Sequence, residues 1–468
     1  MSKIIIVGSG LSALVIAKTV KKYVNKNAEI HIIEREKSAG GQFSSINYGK
    51  DGYFDFGMHV YYDSCIPEID DMVFSLLPRE EWNVMENNEK DIAGLYVNGQ
   101  LQTETPYIDL RNFPEEKRKE YIGSLLLNIA RDKSNDPKKT AYDILTTHFG
   151  KLITDEVFVP VFEKLYGNHL SDLDEMILSL TTVNRLAMFD EQLMVDLMKS
   201  DEIRARLCHP NQFTLPAYRT NGQRALYPKK YGMYRVQEKF KADLEKEGVK
   251  FYLSTQITEL VQENNSVSQI KVKTPEGELS FTDIEKIYWS AGIVPLAMSL
   301  NIDVADLKYD SRPPASFVNL LFNKPLSMGK LYYFYCFDKN FRSFRVTNYF
   351  NYCKDALSER GCPACVEFWP DANDTSLTPE QIVEITLKEL KTFGVIDDTY
   401  ELKFSKVERG GGFPLPSLKN IDNLSTVRER IKYKKIQNLV PVGVLAEKNV
   451  FFIKDVLTDA YNKVLNKK

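Results

Sequence analysis

The stretch Ile4-Ile5-Ile6-Val7-Gly8-Ser9-Gly10-Leu11-Ser12-Ala13 decides how the chain is read. Ile4–Val7 is a short apolar run of the kind that forms a strand buried on both faces. Gly8, Gly10 and Ala13 then give a G-x-G-x-x-A pattern, and Leu14, Ala17, Val20 and Val24 follow at helical spacing. Each small residue meets a physical demand. Gly8 permits the tight strand-to-helix turn, Gly10 leaves the backbone bare for a pyrophosphate, and Ala13 lets the helix approach the sheet. The helix start offers free amides and a positive dipole end to phosphate oxygens. A second apolar run, Glu29–Ile33, ends at Glu34 and Arg35. An acid about 20 residues past the glycines accepts hydrogen bonds from ribose hydroxyls. Strand, glycine turn, helix and acid in this order point to a bound dinucleotide; the bland alternative is a strand–turn–helix whose glycines serve only the turn.

The chain has 468 residues, which implies more than one core and suits two or three domains that interleave. Hydrophobic content of 43% with 12% aromatics is globular in character, not disordered. A net charge of −3 gives no general attraction to nucleic acid or to an anionic membrane. The apolar start is not read as a signal peptide, because the glycine turn interrupts it and Lys18 breaks the helix early. No run of about 18 apolar residues occurs, so no integral membrane segment is expected. The expected location is cytoplasmic. Cys336, Cys353, Cys362 and Cys365 lie close in sequence, and Cys362-Pro-Ala-Cys365 is a C-x-x-C. No second pair or neighbouring His completes a ligand set, so core cysteines are favoured and no metal is expected.

Past Glu34 comes Gly40-Gly41-Gln42, a second bare loop able to approach phosphate or ribitol. Tyr53 to Val60 alternates as a strand would, with Gly57 inside it beside Met58 and His59, which marks close approach by something flat. With the first glycine motif and the ribose acid, this Gly-Gly loop and Gly-x-His segment resemble the flavoprotein superfamily of FAD-dependent amine oxidases and protoporphyrinogen oxidase. They are similar also to UDP-galactopyranose mutase. Gln42 stands where that family usually carries Arg or Asn. The resemblance implies non-covalent FAD, an α/β fold with a Rossmann-like FAD-binding domain, and a mixed α+β substrate domain interleaved with it.

On that resemblance, residues 1–59, 221–304 and 426–468 form the FAD-binding domain, and 60–220 with 305–425 form the substrate domain. Residues 60–220 are expected to be a largely helical insertion, with helices over 144–149, 155–166 and 176–198. Arg219-Thr-Asn-Gly222 reads as a loop. Residues 305–425 read as an antiparallel sheet of short aromatic strands, followed by a helix opened by Thr378-Pro379. Thr274-Pro-Glu-Gly277 reads as a hairpin turn. By resemblance, Ile257 contacts adenine, while Ala291 and Gly292 end a strand beside the cofactor. Near the carboxy terminus a strand ends at Gly443, and Asp455 reads as the N-cap of the last helix. Amides near Val456 would face the pyrimidine end of the flavin, where reduction gathers negative charge.

No Ser-His-Asp or Cys-His arrangement is legible from spacing. His59 is the polar candidate for orienting substrate or shuttling a proton, against a buried histidine with one backbone bond. Arg345 is the candidate for an anionic substrate group, against an ordinary arginine on a sheet surface. The function expected is an FAD-dependent oxidoreductase acting on a small-molecule substrate, in glycan or secondary-metabolite biosynthesis. A homodimer is left open. The alternatives are a flavin-dependent sugar-nucleotide mutase without net redox change, and a non-enzymatic binder resembling the GDP-dissociation inhibitors. Gly443-Val444-Leu445 lacks the arginine that the mutase pattern carries, which counts against the first; the complete glycine motifs count against the second.

Overall fold

Lys3–Val7 (β1) lies at the centre of a five-stranded sheet, with every pairing parallel. Glu29–Ile33 (β2) and Lys250–Tyr252 (β3) extend it on one side; Ile284–Trp289 (β4) and Leu439–Pro441 (β5) extend it on the other. The spatial order is thus β3-β2-β1-β4-β5. Ile5, Ile6, Ile30 and Ile32 are fully buried, as an apolar run with helices on both faces requires. Leu11–Thr19 (α1) follows β1 directly and continues as a π-helical turn over Val20–Val24. It packs against Tyr234–Lys246 (α2) and Ile453–Leu465, which is α4 after the short Ile293–Ser299 (α3).

The computed structural model describes residues 2–131, 139–181, 183–216, 222–312, 314–370, 374, 376–410 and 415–467. Most of the loop expected at Arg219-Thr-Asn-Gly222 lies outside them. The chain divides into two compact units. The first comprises Met1–Val84, Gln223–Lys308 and Asp422–Lys468; the second comprises Met85–Gly222 and Tyr309–Ile421. The first boundary therefore falls at Val84, not at residue 59. The helix Pro67–Phe74 and the strand Tyr61–Tyr62, which pairs with Ala225–Pro228, belong with the parallel sheet.

The first unit also carries an antiparallel meander, Gln256–Glu263, Ser266–Thr274 and Gly277–Phe281. Thr274 pairs with Gly277 across the hairpin turn that Pro275 and Glu276 make. The second unit is built on a seven-stranded mixed sheet and a helical cluster. Ser316–Phe322, Tyr333–Cys336, Ser343–Asn348 and Cys362–Phe368 are four of its strands. Ala93–Val97, inside the stretch expected to be helical, joins this sheet by pairing parallel with Tyr333–Cys336. Leu402–Arg409 forms the opposite edge. The helix expected over 176–198 is broken: Leu186–Ala187 pairs with Ile108–Asp109, and Asp190 accepts from Leu193 N at 2.9 Å to start a new helix, Glu191–Leu197. An Asx cap of this kind favours a helix start over continuation.

Two local readings are corrected. Tyr53 to Val60 is not one strand. The strand stops at Asp55, Gly57 N donates to Asp55 O at 2.9 Å, and Gly57 takes φ +71°, so Gly57-Met58-His59 forms a bend. Asp455 is not the N-cap of α4. Phe452 holds that place, and the Asp455 carboxylate reaches back from the third helical position to accept Phe452 N at 3.2 Å. Cys336, Cys353, Cys362 and Cys365 are all buried, and no disulfide joins them. Among the described residues, no cluster of His, Cys, Asp or Glu could hold a metal ion.

Candidate dinucleotide site

Strand order reverses at β1. The chain leaves it toward β2 and β3 on one side, while β4 and β5 return on the other. Crossovers on opposite faces leave a crevice at the carboxyl ends of the two strands flanking such a point. A cleft of about 730 Å³ lies there, in the first unit. Its floor is Val7-Gly8-Ser9-Gly10 from the end of β1 and Trp289-Ser290-Ala291-Gly292 from the end of β4.

The backbone around the first turn is fixed by hydrogen bonds to its neighbours. Gly8 N donates to Ile33 O at 2.8 Å, Gly40 N to Ser9 O at 2.9 Å, and Ser290 N to Val7 O at 2.8 Å. Gly8 has φ +96°, and a Cβ there would meet Ser290 Oγ at 2.6 Å. Gly10 has the ordinary φ of −64°, and a Cβ there would meet nothing within 4 Å. So Gly8 is required by the fold, whereas Gly10 leaves open the space before the helix start. Ala13 N and Leu14 N both return to Gly10 O, which leaves the amides of Leu11 and Ser12 as the first of the helix.

Glu34 sits at the end of β2. One carboxylate oxygen accepts Ser9 N and Ser9 Oγ, each at 2.8 Å, and the other accepts Glu36 N at 2.8 Å. Arg35, largely exposed, follows it along the rim. The Gly-Gly loop comes next. Gly40 has φ +118°, and a Cβ on it would strike Gln237 Cγ at 2.8 Å; Gly41 has φ +56° and lies against Gly10 Cα. Gln237, on α2 and 2% exposed, has a buried Oε1 without a hydrogen-bond partner beneath this loop.

Most of the sequence-derived residues come together here. Gly8, Gly10, Glu34, Arg35, Gly40, Gly41, Gln42, Ile257, Ala291, Gly292, Gly443 and Val456 all line the cleft. Ala13 does not; it is fully buried where α1 leaves the turn. Gly57, Met58, His59 and Asp455 do not line it either. His59 sets its ring edge-on to Phe43 at 5.6 Å, and Phe43 is a wall of the cleft. Asp455 acts beside Val456 by closing the first turn of α4. Ser9, Phe43, Trp289 and Ser290 also line the cleft and escaped the sequence reading. Only Ser9, inside the glycine motif, carried any local signal.

Beneath this site lies Asp55, 1% exposed. It accepts Tyr227 Oη at 2.5 Å, Met233 N at 3.1 Å and the Ser45 hydroxyl. Burial raises its pKa, and these donors oppose the shift. The carboxylate thereby ties the end of the Gly-Gly loop to the start of α2. Arg345 lies in the second unit and is not the surface arginine considered above. Its guanidinium meets the Glu367 carboxylate at 2.5–2.6 Å, with side-chain exposures of 19% and 11%. Burial lowers its pKa most strongly, but Glu367 together with Tyr335 and Tyr333 outweighs that and raises it.

The glycine cradle, open before Gly10, and the anchored acid fit an extended dinucleotide. The architecture is a Rossmann-like α/β parallel sheet with a further mixed-sheet unit. Residues 6–74 match the model of the NAD(P)-binding Rossmann-like domain. In structure the chain is similar to a reduced UDP-galactopyranose mutase, with TM-score 0.73, 16% identity, and coverage of 100% of this chain and 96% of that one. It is similar to a candidate protoporphyrinogen oxidase from Exiguobacterium sp. 255-15, with TM-score 0.65, 14% identity and coverage of 99% and 98%. A CLA-producing fatty acid isomerase from P. acnes matches with TM-score 0.58, 13% identity and coverage of 99% and 98%. At these identities the likeness is one of fold. No curated protein matches the chain in sequence. No helix among the described residues is long and apolar enough to cross a membrane.

Proposed function

We propose that the protein is a cytoplasmic FAD-dependent oxidoreductase of the amine-oxidase and protoporphyrinogen-oxidase-like group, acting on a small molecule in glycan or secondary-metabolite synthesis. One observation carries this reading. A single continuous cleft runs from Glu34 through the Gly10 and Gly40-Gly41 loops to Gly443 and Val456 at the last helix. A site for one mononucleotide needs only the first part of it.

In this reading Glu34 holds the ribose, with Ile257 against the adenine. The Leu11 and Ser12 amides meet the pyrophosphate. Gln237 supports the Gly-Gly loop from beneath. The first turn of α4, closed by Asp455, offers its amides to a group that gains negative charge. Non-covalent FAD would supply hydride acceptance at N5 from the substrate; the chain supplies position and electrostatics. His59 is the residue assigned to orienting substrate or moving a proton, and Arg345 is held by Glu367.

A flavin-dependent sugar-nucleotide mutase is the second reading. It is supported by the likeness to UDP-galactopyranose mutase over both whole chains. A non-enzymatic binder on a GDP-dissociation-inhibitor-like fold is disfavoured by Gly10, where an added Cβ would meet no protein atom within 4 Å and whose bareness therefore suits a close ligand. Purified protein should carry flavin absorbance, and a colourless protein that takes up no added FAD sinks the proposal. Anaerobic bleaching by amines or porphyrinogens supports the oxidoreductase. Turnover of a sugar nucleotide only after chemical reduction supports the mutase.

A further inference from the structure

The helix Val159–Tyr166 delivers Lys164 to the end of the strand Tyr333–Cys336 in the second unit. Its Nζ donates to Cys336 O at 2.6 Å and Ser343 O at 3.0 Å, and lies 3.3 Å from Cys336 Sγ. No carboxylate stands within ion-pair distance of Lys164 among the described residues. The acid nearest in role, Glu389, is taken up by Arg342 N at 2.6 Å, Ser343 N at 2.8 Å and Ser343 Oγ at 2.5 Å. Cys336 is fully buried. An amine is therefore held against a thiol by two carbonyls, with the Glu389 and Asp338 carboxylates acting on it only from beyond ion-pair distance.

We propose that Lys164 and Cys336 form a peroxide-driven, thiol-reversible covalent crosslink between Nζ and Sγ. The steps balance with one hydrogen peroxide. Sγ attacks a peroxide oxygen; the S–O bond forms, the O–O bond breaks, and the departing hydroxide takes the thiol proton to leave as water. Sulfur is oxidised by two electrons and the peroxide is reduced. The neutral Lys164 amine then attacks the sulfenic sulfur; the N–S bond forms, the S–O bond breaks, and the hydroxide leaves as a second water with a proton from Nζ. Thiol, amine and peroxide thus yield a sulfenamide and two waters. Burial favours the amine form the second step needs, since it lowers the Lys164 pKa. The two carbonyls hold the nitrogen beside sulfur, so capture competes with overoxidation to the sulfinic acid. The crosslink joins positions 172 residues apart and pins the helix to the sheet.

The test is peroxide treatment of the full-length protein, followed by alkylation and peptide mapping without reductant. The expected product is a joined pair of peptides containing Lys164 and Cys336, lighter by two hydrogens than their sum. Dithiothreitol should restore both free peptides. A Cys353–Cys362 disulfide would change the intact mass equally, so the peptide assignment decides. Lys164→Arg keeps the donor but not the nucleophile, and there Cys336 should remain a thiol or advance to the sulfinic acid. The proposal is overturned if wild-type Cys336 stays fully alkylatable after unfolding, or if it becomes sulfinic acid with no joined peptide. A bridge that retains an oxygen overturns the direct N–S bond.

Discussion

The Glu34 carboxylate grips Ser9 twice, accepting its amide and its hydroxyl at 2.8 Å through one oxygen. The acid at the end of β2 is thereby locked to the turn at the end of β1. A carboxylate held this way is placed before any ligand arrives, so little ordering remains to be done on binding. Charged hydrogen bonds contribute about 1.5–3 kcal/mol each. Glu34→Ala should therefore weaken FAD binding by about tenfold or more. Fluorescence titration of apoprotein with FAD measures it; an unchanged dissociation constant removes Glu34 from the ribose.

Gly8 and Gly10 should fail in opposite ways. Gly8→Ala forces a left-handed residue and a clash with Ser290 Oγ. It should destabilise the fold by about 1–3 kcal/mol, read as a fall in melting temperature even without cofactor. Gly10→Ala adds a Cβ that meets no protein atom within 4 Å, at permissive dihedrals. It should leave apoprotein stability nearly unchanged while abolishing cofactor uptake. If both variants lose stability alike, the cleft does not continue past Gly10.

His59 stands behind Phe43, with its ring 5.6 Å away. If it acts on the substrate, His59→Ala should lower turnover per bound flavin more than it lowers flavin content. Absorbance of the purified variant, set beside its steady-state rate, separates the two. Equal losses in both would make His59 a packing residue.

The legible parts of this chain are those written in short segments. Ile4 through Ala13 encode strand, turn and helix in ten neighbours, and Thr274 with Gly277 encode a hairpin in four. Other features depend on partners far off in sequence. Arg345 reads as a lone cation until register places it between Glu367 on one neighbouring strand and Tyr335 on the other. Ala93–Val97 reads poorly because its pairing partner is Tyr333–Cys336, more than two hundred positions on. Leu402–Arg409 alternates with lysines and glutamate at a sheet edge, where exposed charge conceals the strand pattern. Gln237 supports the Gly-Gly loop only because α2 passes beneath Gly40.

His31, 3% exposed on β2, gives a signed pH response. Burial lowers its pKa, and the Glu29 carboxylate at 3.0 Å only partly offsets that. Between its lowered folded value and the ordinary 6.5, the unfolded chain binds more protons than the native one. Its contribution is present above pH 6.5 and is lost as pH falls below it. Urea midpoints of wild type should drop from pH 7 to pH 5 more than those of His31→Phe. Parallel profiles would mean that His31 does not titrate differently on folding.

Arg345 and Glu367 should show the asymmetry of a buried ion pair. They sit opposite one another on adjacent strands of the mixed sheet, with Tyr333 and Tyr335 flanking the guanidinium at 5.7 and 5.9 Å. Each charge has given up water, and each is repaid chiefly by the other. Arg345→Met leaves a carboxylate buried without its partner and should cost about 3–5 kcal/mol of stability. Glu367's pKa already stands above its ordinary value through burial, with Arg345 holding it down. In Arg345→Met it should rise further, so that variant should be relatively less destabilised at acidic pH, where the carboxyl is neutral. Arg345→Met with Glu367→Leu removes both desolvated charges and should recover most of the loss. Chemical denaturation of the two single variants and the double variant supplies the cycle. An additive double variant would show that each side chain is solvated on its own, and that Arg345 stands free to meet an anionic substrate after all.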